Sequence, residues 1–159
     1  MSRFRTGFGY DVHQLVPDRP LILGSIQIPF LKGALGHSDA DVLLHAIADA
    51  LLGAAALGDL GAHFPDTDTK LQGIESTVIL KQVNKLISDQ GYHISNIDST
   101  VVLQEPKISN YIPKMRAAIA AILDLELNQV SVKATSTEQL GAIGRGEGIA
   151  AYASVLIYG

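Results

Sequence analysis

The chain has 159 residues, of which 47% are hydrophobic and 18% charged, with a formal net charge of −4. This composition predicts one domain, 1–159, with a substantial core, and the lack of a basic surface argues against nucleic-acid binding. The absence of cysteine excludes disulfides, thiolate metal ligands and a cysteine nucleophile. Because the N-terminal segment lacks the apolar core of a secretory signal and no apolar run is long enough for a membrane span, we expect a cytoplasmic location.

Strands are predicted where short apolar or β-branched runs are bounded by turn residues. Two of them lie within 19–30 and are joined by a turn at Gly24 and Ser25. The predicted strand segments are 3–10, 19–30, 96–104, 129–134 and 148–159.

Three helices are predicted from apolar residues at helical spacing. The clearest lies within 36–58, where Ser38 or Asp39 can serve as the N-cap and Gly58 can end the helix. The other two cover 74–90 and 108–124. Because strands and helices alternate without a strict βαβ pattern, we expect an α+β fold, with a mixed four- to five-stranded sheet covered by helices on one face.

Asp11 and His13 lie two residues apart in an apolar and aromatic segment, GFGYDVHQL. If this segment is a strand, both side chains point to the same face, because strand side chains alternate. The pair alone leaves three interpretations open, which are a surface coincidence, an acid–base pair and two ligands of a metal ion.

His45 supplies a third candidate ligand in the clearest predicted helix. Asp41 and Asp49 lie one turn before and after it on the same face, and a solvated acidic face with a lone histidine is the simpler interpretation of that stripe. A catalytic zinc site without cysteine needs about three His or carboxylate ligands and one open position. Asp11, His13 and His45 meet that need. Asp41 or Asp49 would then accept the second N–H of His45 and fix its tautomer.

Two further segments are candidates for binding anions. His37 and Ser38 lie just before the helix, where free backbone N–H groups attract phosphate, although an ordinary loop histidine is the commoner outcome at such a position. The glycine-rich segment GRGEG, 144–148, lacks the Lys-Ser or Lys-Thr pair of a P-loop, so we interpret it first as a structural turn and second as an anion site.

Several motifs follow one another in the order found in one enzyme family. They are GYDVH, GHSDADVLLHAIADALLGAAALGDLG, FPDTD, QEPK, KATSTE and GRGEGIA. From about Gly7 to Ile149 the chain therefore resembles the 2-C-methyl-D-erythritol 2,4-cyclodiphosphate synthases of the non-mevalonate route to isoprenoids. The resemblance implies an α+β homotrimer with active sites between neighbouring subunits. It also implies a phosphorus–oxygen lyase that closes 4-diphosphocytidyl-2-C-methyl-D-erythritol 2-phosphate to the cyclic diphosphate and releases CMP.

The same resemblance implies two metal ions in each active site. Zinc would be held by Asp11, His13 and His45, with solvent or a substrate phosphate oxygen as the fourth ligand. Magnesium or manganese would be held by Glu138 between the α- and β-phosphates.

The implied contacts with the substrate fall into two groups. His37, Ser136 and Glu138 are implied as catalytic, and Asp59 matches the residue that binds the erythritol hydroxyls. The group on the zinc side comprises Asp11, Val12, His13, His37, Ser38, Asp59, Leu60, Gly61, Phe64, Pro65, Asp66, Thr67 and Asp68. The group that resembles a cytidine and phosphate cradle from an adjacent subunit comprises Leu103, Gln104, Glu105, Pro106, Lys107, Thr135, Ser136, Thr137 and Glu138, and Arg145 is a further implied contact.

Three positions depart from the family pattern. Ser136 replaces the usual threonine and keeps the hydroxyl that donates to phosphate, and Glu105 replaces an alanine that contributes mainly backbone. Ala142 stands where many members carry an aromatic side chain. That side chain lines a cavity on the three-fold axis in which isoprenoid diphosphates bind, and the pair at the end of this cavity, Arg145 and Glu147, is present.

Two other functions use the same residues. A zinc-dependent phosphohydrolase of a nucleotide-linked substrate would add Asp59 or Glu138 as the base for a metal-bound water. A trimeric binding module would need the metal only for structure.

In the synthase reaction the attacking phosphate is already ionised, so neither a strong base nor a covalent nucleophile is required. Positioning of the substrate and stabilisation of charge then account for the catalysis.

Overall fold

The strands form one large sheet and one small hairpin. The computed structural model describes residues 3–65 and 67–159, so the implied substrate contact Asp66 lies outside the described residues. The strands are β1 (Phe4–Pro17), β2 (Leu21–Leu23), β3 (Ile26–Ile28), β4 (Lys32–Ala34), β5 (His93–Val102), β6 (Val130–Thr135) and β7 (Gly148–Tyr158).

The large sheet has the strand order β4-β1-β7-β5-β6. Its β5–β6 pair is parallel, whereas the β4–β1, β1–β7 and β7–β5 pairs are antiparallel. The sheet is therefore mixed, and β1 and β6 are separated by two other strands. Strands β2 and β3 form the separate hairpin.

The helices pack beside the sheet and against one another. They are α1 (Val42–Ala54), α2 (Leu60–His63), α3 (Ser76–Asp89), α4 (Ile112–Leu123) and α5 (Gly141–Gly144), with short 3-10 turns at Thr69–Leu71, Ser109–Tyr111 and Leu127–Gln129. None of the helices in the described part of the chain is long and apolar enough to cross a membrane.

Helix α1 is the centre of the core. Most of its residues are buried, and it crosses β1 where Gly7 and Gly9 leave room for the helix backbone. The odd-numbered residues of β1 face this helix, and Leu15 is buried there. The position of α1 is therefore set by direct contact with the strand that carries Asp11 and His13.

The other face of β1 and β7 is open and aromatic. Phe4, Phe8, Tyr10, Tyr152 and Tyr158 are all exposed on it, and their rings approach one another across the two strands. The ring centroids of Tyr10 and Tyr152 lie 4.9 Å apart, and those of Phe8 and Tyr152 lie 6.1 Å apart. An apolar patch of this kind is typical of a surface that contacts another protein chain.

The α+β class and the mixed five-stranded sheet are confirmed, as is the hairpin turn, where Gly24 and Ser25 both have positive φ. The predicted strand 3–10 was too short, because β1 continues to Pro17. The predicted N-cap was wrong. Asp41 caps α1, and its side chain accepts a hydrogen bond from the backbone N–H of Leu44 at 3.1 Å.

Candidate metal centre

Asp11, His13 and His45 converge between β1 and α1. Asp11 Oδ2 lies 3.1 Å from His13 Nε2 and 3.0 Å from His45 Nδ1. One potential ligand atom from each residue lies within 4.8 Å of the other two. Ligands that sit about 2.0–2.2 Å from a tetrahedral zinc ion are separated by roughly 3.3 Å. The distances from Asp11 Oδ2 to the two ring nitrogens therefore match those between ligands of one ion.

Only one of the two ring nitrogens of His13 has a hydrogen-bond partner. Its Nδ1 donates a hydrogen bond to the carbonyl oxygen of Leu35 at 2.7 Å. A carbonyl oxygen only accepts, so the ring proton is on Nδ1 and the lone pair of Nε2 faces the centre of the group. That Nε2 is buried and makes no hydrogen bond. A lone pair 3.1 Å from a carboxylate oxygen fits a cation between the two atoms, and Asp11, His13 and His45 are the donor types that zinc prefers when thiolates are absent.

The charge of the group also suits a cation. Burial opposes ionisation of Asp11, but the adjacent imidazoles of His13 and His45 outweigh it and lower the pKa of this carboxyl to about 2. Burial likewise opposes protonation of His13, yet the adjacent Asp11 outweighs it and raises the pKa of the imidazole. Asp11 is therefore ionised at neutral pH and supplies a negative charge to the group.

The side chains expected to orient His45 make no hydrogen bond with its ring. Asp41 is buried and accepts hydrogen bonds from the backbone N–H groups of Gly24 and Ser25, at 3.0 and 2.7 Å, in addition to its cap contact. Asp49 accepts a hydrogen bond from the N–H of Leu60 at 3.1 Å. The prediction that Asp41 or Asp49 accepts the second N–H of His45 was wrong, because both carboxylates satisfy backbone groups of other segments.

Ser76 takes that role instead. Its Oγ lies 2.8 Å from His45 Nε2, and the hydroxyl of Ser38 lies farther away, at 3.4 Å. Ser76 in turn binds Asp39 through both its hydroxyl and its backbone N–H. Sequence reasoning missed Ser76 because it is the first residue of α3, distant in the chain from His45, and no local pattern links the two.

A cavity of about 1030 Å³ opens in front of the three ligands. The side chain of Asp59 caps α2 beside this cavity, where it accepts a hydrogen bond from the N–H of Ala62 at 2.9 Å. The side chain of Val12 lies on the opposite, exposed face of β1. Besides the three ligands, the implied substrate contacts that line the cavity are His37, Ser38, Leu60, Gly61, Phe64, Pro65 and Asp68.

The second group of implied contacts forms a separate cluster at β5 and β6. The backbone N–H of Leu103 donates to the carbonyl of Thr135 at 3.1 Å, and the N–H of Gln139 donates to Gln104 Oε1 at 3.0 Å. Ser136 is half-buried there and Glu138 is exposed, and the Glu138 N–H donates to Ser136 Oγ at 3.2 Å. In the strand order of the sheet β5 is two strand spacings from β1 and β6 is three, which is about 10 and 14 Å respectively.

Arg145 lies away from the metal ligands and borders the second group. It pairs with Glu147, with its Nε 2.6 Å from Glu147 Oε1. It also lines a smaller cavity, of about 480 Å³, together with Gln104 and Glu105. Arg145 therefore does not contribute to the cavity in front of the metal ligands of the same chain.

The fold and the site define a class of α+β protein. In this class a carboxylate and two histidines face an open cavity, an arrangement typical of catalytic metal sites. The model of the YgbB family matches residues 4–158. A curated relative from Alkaliphilus oremlandii, named 2-C-methyl-D-erythritol 2,4-cyclodiphosphate synthase, is 59% identical over 149 residues, which are 94% of this chain and 95% of the relative. The chain belongs to the YgbB family, and the resemblance seen in its motifs is confirmed.

Solved structures of two related proteins are similar throughout. The bifunctional IspDF from Campylobacter jejuni matches with a TM-score of 0.96 and 44% identity, over 99% of this chain and 43% of that one. This chain therefore spans less than half of the bifunctional protein. IspF from Plasmodium falciparum, solved as a CDP complex, matches with a TM-score of 0.86 and 34% identity, over 97% of this chain and 95% of that one.

Proposed function

We propose that the chain converts 4-diphosphocytidyl-2-C-methyl-D-erythritol 2-phosphate to 2-C-methyl-D-erythritol 2,4-cyclodiphosphate and releases CMP. In this reaction an oxygen of the 2-phosphate attacks the β-phosphorus, and the bond from that phosphorus to the CMP oxygen breaks. The observation that carries the proposal is the unpartnered Nε2 of His13 beside Asp11 and His45, in a chain whose curated relatives bear the name of this synthase.

The proposed metal ions are Zn²⁺ on Asp11, His13 and His45, and Mg²⁺ or Mn²⁺ on Glu138. When bound, they supply Lewis-acid polarisation of the phosphates and offset their mutual repulsion. A net charge of −4 gives the protein itself little attraction for a polyanion, so the assignment of two cations to the site is physically coherent. Both histidines would bind zinc as neutral ligands, through the ring nitrogens that face Asp11.

The loop before α1 contributes donors to the same cavity. The Oγ of Ser38 accepts a hydrogen bond from the N–H of Ala40 at 3.0 Å, which leaves its hydroxyl proton free to donate. His37 lines the cavity beside it. We propose that both residues bind the phosphate groups of the substrate and that His37 also stabilises charge in the transition state. The 59–68 segment would bind the erythritol.

We further propose a homotrimer in which each active site combines two chains. The cluster Leu103–Lys107 with Thr135–Glu138 follows β5 and β6, two and three strand spacings from β1, and none of its residues lines the cavity in front of the ligands. A substrate that must reach both would then lie between neighbouring subunits. The exposed aromatic face of β1 and β7 supports a subunit interface, and the CDP complex of the Plasmodium falciparum relative supports cytidine as the nucleoside.

An isoprenoid diphosphate in a cavity on the three-fold axis is a further proposed ligand. Arg145 supplies the cation for such a ligand, and Ala142 supplies a small side chain instead of an aromatic ring. Binding through Arg145 would then depend on charge more than on ring contacts. This ligand has no role in the cyclisation.

Phosphorus NMR of the purified protein with the cytidylyl substrate, zinc and magnesium tests the reaction. We expect the signals of the substrate to be replaced by those of CMP and a cyclic diphosphate. Release of orthophosphate would overturn the proposal in favour of a phosphohydrolase. The variant Asp11→Asn, which keeps the size of the side chain and removes its charge, is the matched control and should leave the substrate unchanged.

A further inference from the structure

The way in which His45 is held assigns a role to two residues that lie outside the ligand set. The side chain of His45 is mostly buried, and each ring nitrogen has its own partner. Nδ1 lies 3.0 Å from Asp11 Oδ2, inside the ligand group, and Nε2 lies 2.8 Å from Ser76 Oγ, outside it. Which nitrogen carries the proton therefore depends on whether the Ser76 hydroxyl donates or accepts.

The contacts of Asp39 determine the direction of the Ser76 hydroxyl proton. The hydroxyl of Ser76 has one proton, and its Oγ lies in very short hydrogen-bond contact with Asp39 Oδ1, while Asp39 Oδ2 accepts the backbone N–H of Ser76 at 3.1 Å. An ionised carboxylate only accepts hydrogen bonds, so the hydroxyl proton is directed to Asp39. Ser76 Oγ then accepts from His45 Nε2–H, and the lone pair of His45 Nδ1 faces the ligand group.

His13 is held in the complementary way. Its outer nitrogen is Nδ1, which donates to the carbonyl of Leu35, and its inner nitrogen is Nε2. The two histidines thus use opposite nitrogens for the outer contact, and each outer acceptor permits a single tautomer. For His13 the acceptor is part of the backbone, whereas for His45 it is a side chain that a single substitution removes.

Ser76 is also fully buried and is the first residue of α3. The N-cap of this helix, Glu75, makes no side-chain cap hydrogen bond, and Asp39 from the loop before α1 takes over that function by accepting the Ser76 N–H. A second contact, from the N–H of Gly73 to the carbonyl of His37 at 2.8 Å, joins the same two segments. The orientation of His45 therefore depends on the docking of α3 against the loop that carries His37 and Ser38.

We infer that Ser76, oriented by Asp39, is a positioning residue that fixes the Nε2–H tautomer of His45 and so presents Nδ1 to the metal ion. This inference rests on the proposed function, because it requires the metal site. Loss of a partner to a metal-binding histidine typically weakens metal affinity by about 10- to 100-fold. Ser76→Ala should show a loss of that size, whereas Ser76→Thr, which keeps the hydroxyl, should recover most of the affinity.

Zinc affinity is measured on the full chain by competition with a chromophoric chelator, for the unmodified protein, Ser76→Ala, Ser76→Thr and Ser99→Ala. Ser99 is the matched control, since it is also buried and loses one hydrogen bond, to the carbonyl of Ser131 at 2.8 Å, at a site on β5 away from the ligands. If Ser76→Ala binds zinc as tightly as Ser99→Ala, the inference is overturned and the proposed function stands. If the unmodified protein binds no zinc, the proposed metal centre itself is overturned, and the inference falls with it.

A spectroscopic measurement on the unmodified protein keeps the test independent of whether Ser76→Ala folds. Long-range ¹H–¹⁵N correlation spectra of the histidine rings above neutral pH should show His45 with its proton on Nε2 and His13 with its proton on Nδ1. Cobalt-substituted Ser76→Ala should also give a ligand-field spectrum different from those of the unmodified protein and Ser99→Ala. A His45 ring with its proton on Nδ1 would contradict the assignment.

Discussion

Gly9 and Ala46 are in direct backbone contact, so that a Cβ atom added to Gly9 would lie 2.0 Å from the carbonyl oxygen of Ala46. Gly7 approaches Ala50 in the same way, with a distance of 1.9 Å from its virtual Cβ to the carbonyl oxygen. Because α1 lies this close to β1, His45 reaches Asp11. The glycines of the segment GFGYDVH therefore set the distance between the two elements that carry the ligands.

Gly9→Ala should destabilise the protein and weaken its metal site. The added methyl group meets backbone rather than a flexible side chain, so α1 must move away from β1, and overpacking of this kind costs about 1–3 kcal/mol or more. We expect a lower urea midpoint and less zinc bound per chain than in the unmodified protein.

Gly53→Ala is the matched control for that substitution. Gly53 lies on α1, and a Cβ atom at this position meets nothing within 4 Å. Replacement of a helical glycine by alanine at an open site should stabilise the helix by about 0.8–1 kcal/mol. Equal stability of Gly9→Ala and the unmodified protein would show that the packing of α1 against β1 does not require a residue without a Cβ atom at position 9.

Removal of the metal should abolish activity without unfolding the chain. The three ligands border a cavity, whereas the core around α1 is apolar and continuous and does not include them. We expect a chelator to remove the activity, to leave the far-ultraviolet circular dichroism unchanged, and to be reversed by zinc. Loss of secondary structure on chelation would instead favour the binding module in which the metal has only a structural role.

The grouping of Asp11, His13 and His45 could be predicted in part from local rules. A period of two places Asp11 and His13 on one face of a strand, and the need of a zinc site for a third His or carboxylate ligand makes His45 a candidate. The partner of His45 could not be predicted in this way. Ser76 reaches it through the packing of α3 against the loop before α1, and that packing depends on contacts between segments far apart in the sequence.

The N-cap of α1 illustrates the same limit. Ser38, Asp39 and Asp41 are all chemically able to cap a helix, and periodicity does not separate them. In the structure they serve three different segments. Asp41 caps α1 and holds the hairpin turn, Asp39 binds the first residue of α3, and Ser38 accepts a hydrogen bond from Ala40. Tertiary contacts, and not helix propensity, decide which residue becomes the cap.

The stability of the protein should gain from protonation of Asp41. Burial raises the pKa of this carboxyl to about 6, even though the N–H groups of Ser25, Leu44 and Gly24 oppose the rise. A pKa above the unfolded value means that the folded state binds the proton more tightly. The resulting stability is fully present below the unfolded pKa of 3.8 and is lost as the pH rises through about 6.

The substitution Asp41→Asn removes this titration. We therefore expect the free energy of unfolding of the unmodified protein, relative to Asp41→Asn, to increase as the pH falls from neutral towards the unfolded pKa. Urea denaturation in the presence of a chelator, at a fixed protein concentration, measures the difference without a contribution from metal binding. Parallel pH profiles for the two proteins would mean that Asp41 keeps its ordinary pKa in the fold.

The proposed sharing of each active site between two chains predicts complementation of inactive variants. His45→Ala damages the metal half of a site and Glu138→Ala damages the cradle half, so each variant alone should be inactive as a homotrimer. When equal amounts are unfolded and refolded together, a site is intact if one chain supplies His45 and its neighbour supplies Glu138. Random assembly makes about a quarter of the sites intact.

The mixture should therefore regain about a quarter of the unmodified activity per site, whereas a mixture of His45→Ala with Asp11→Asn, both damaged in the same half, should regain none. Equal inactivity of the two mixtures would place both halves of the site in one chain.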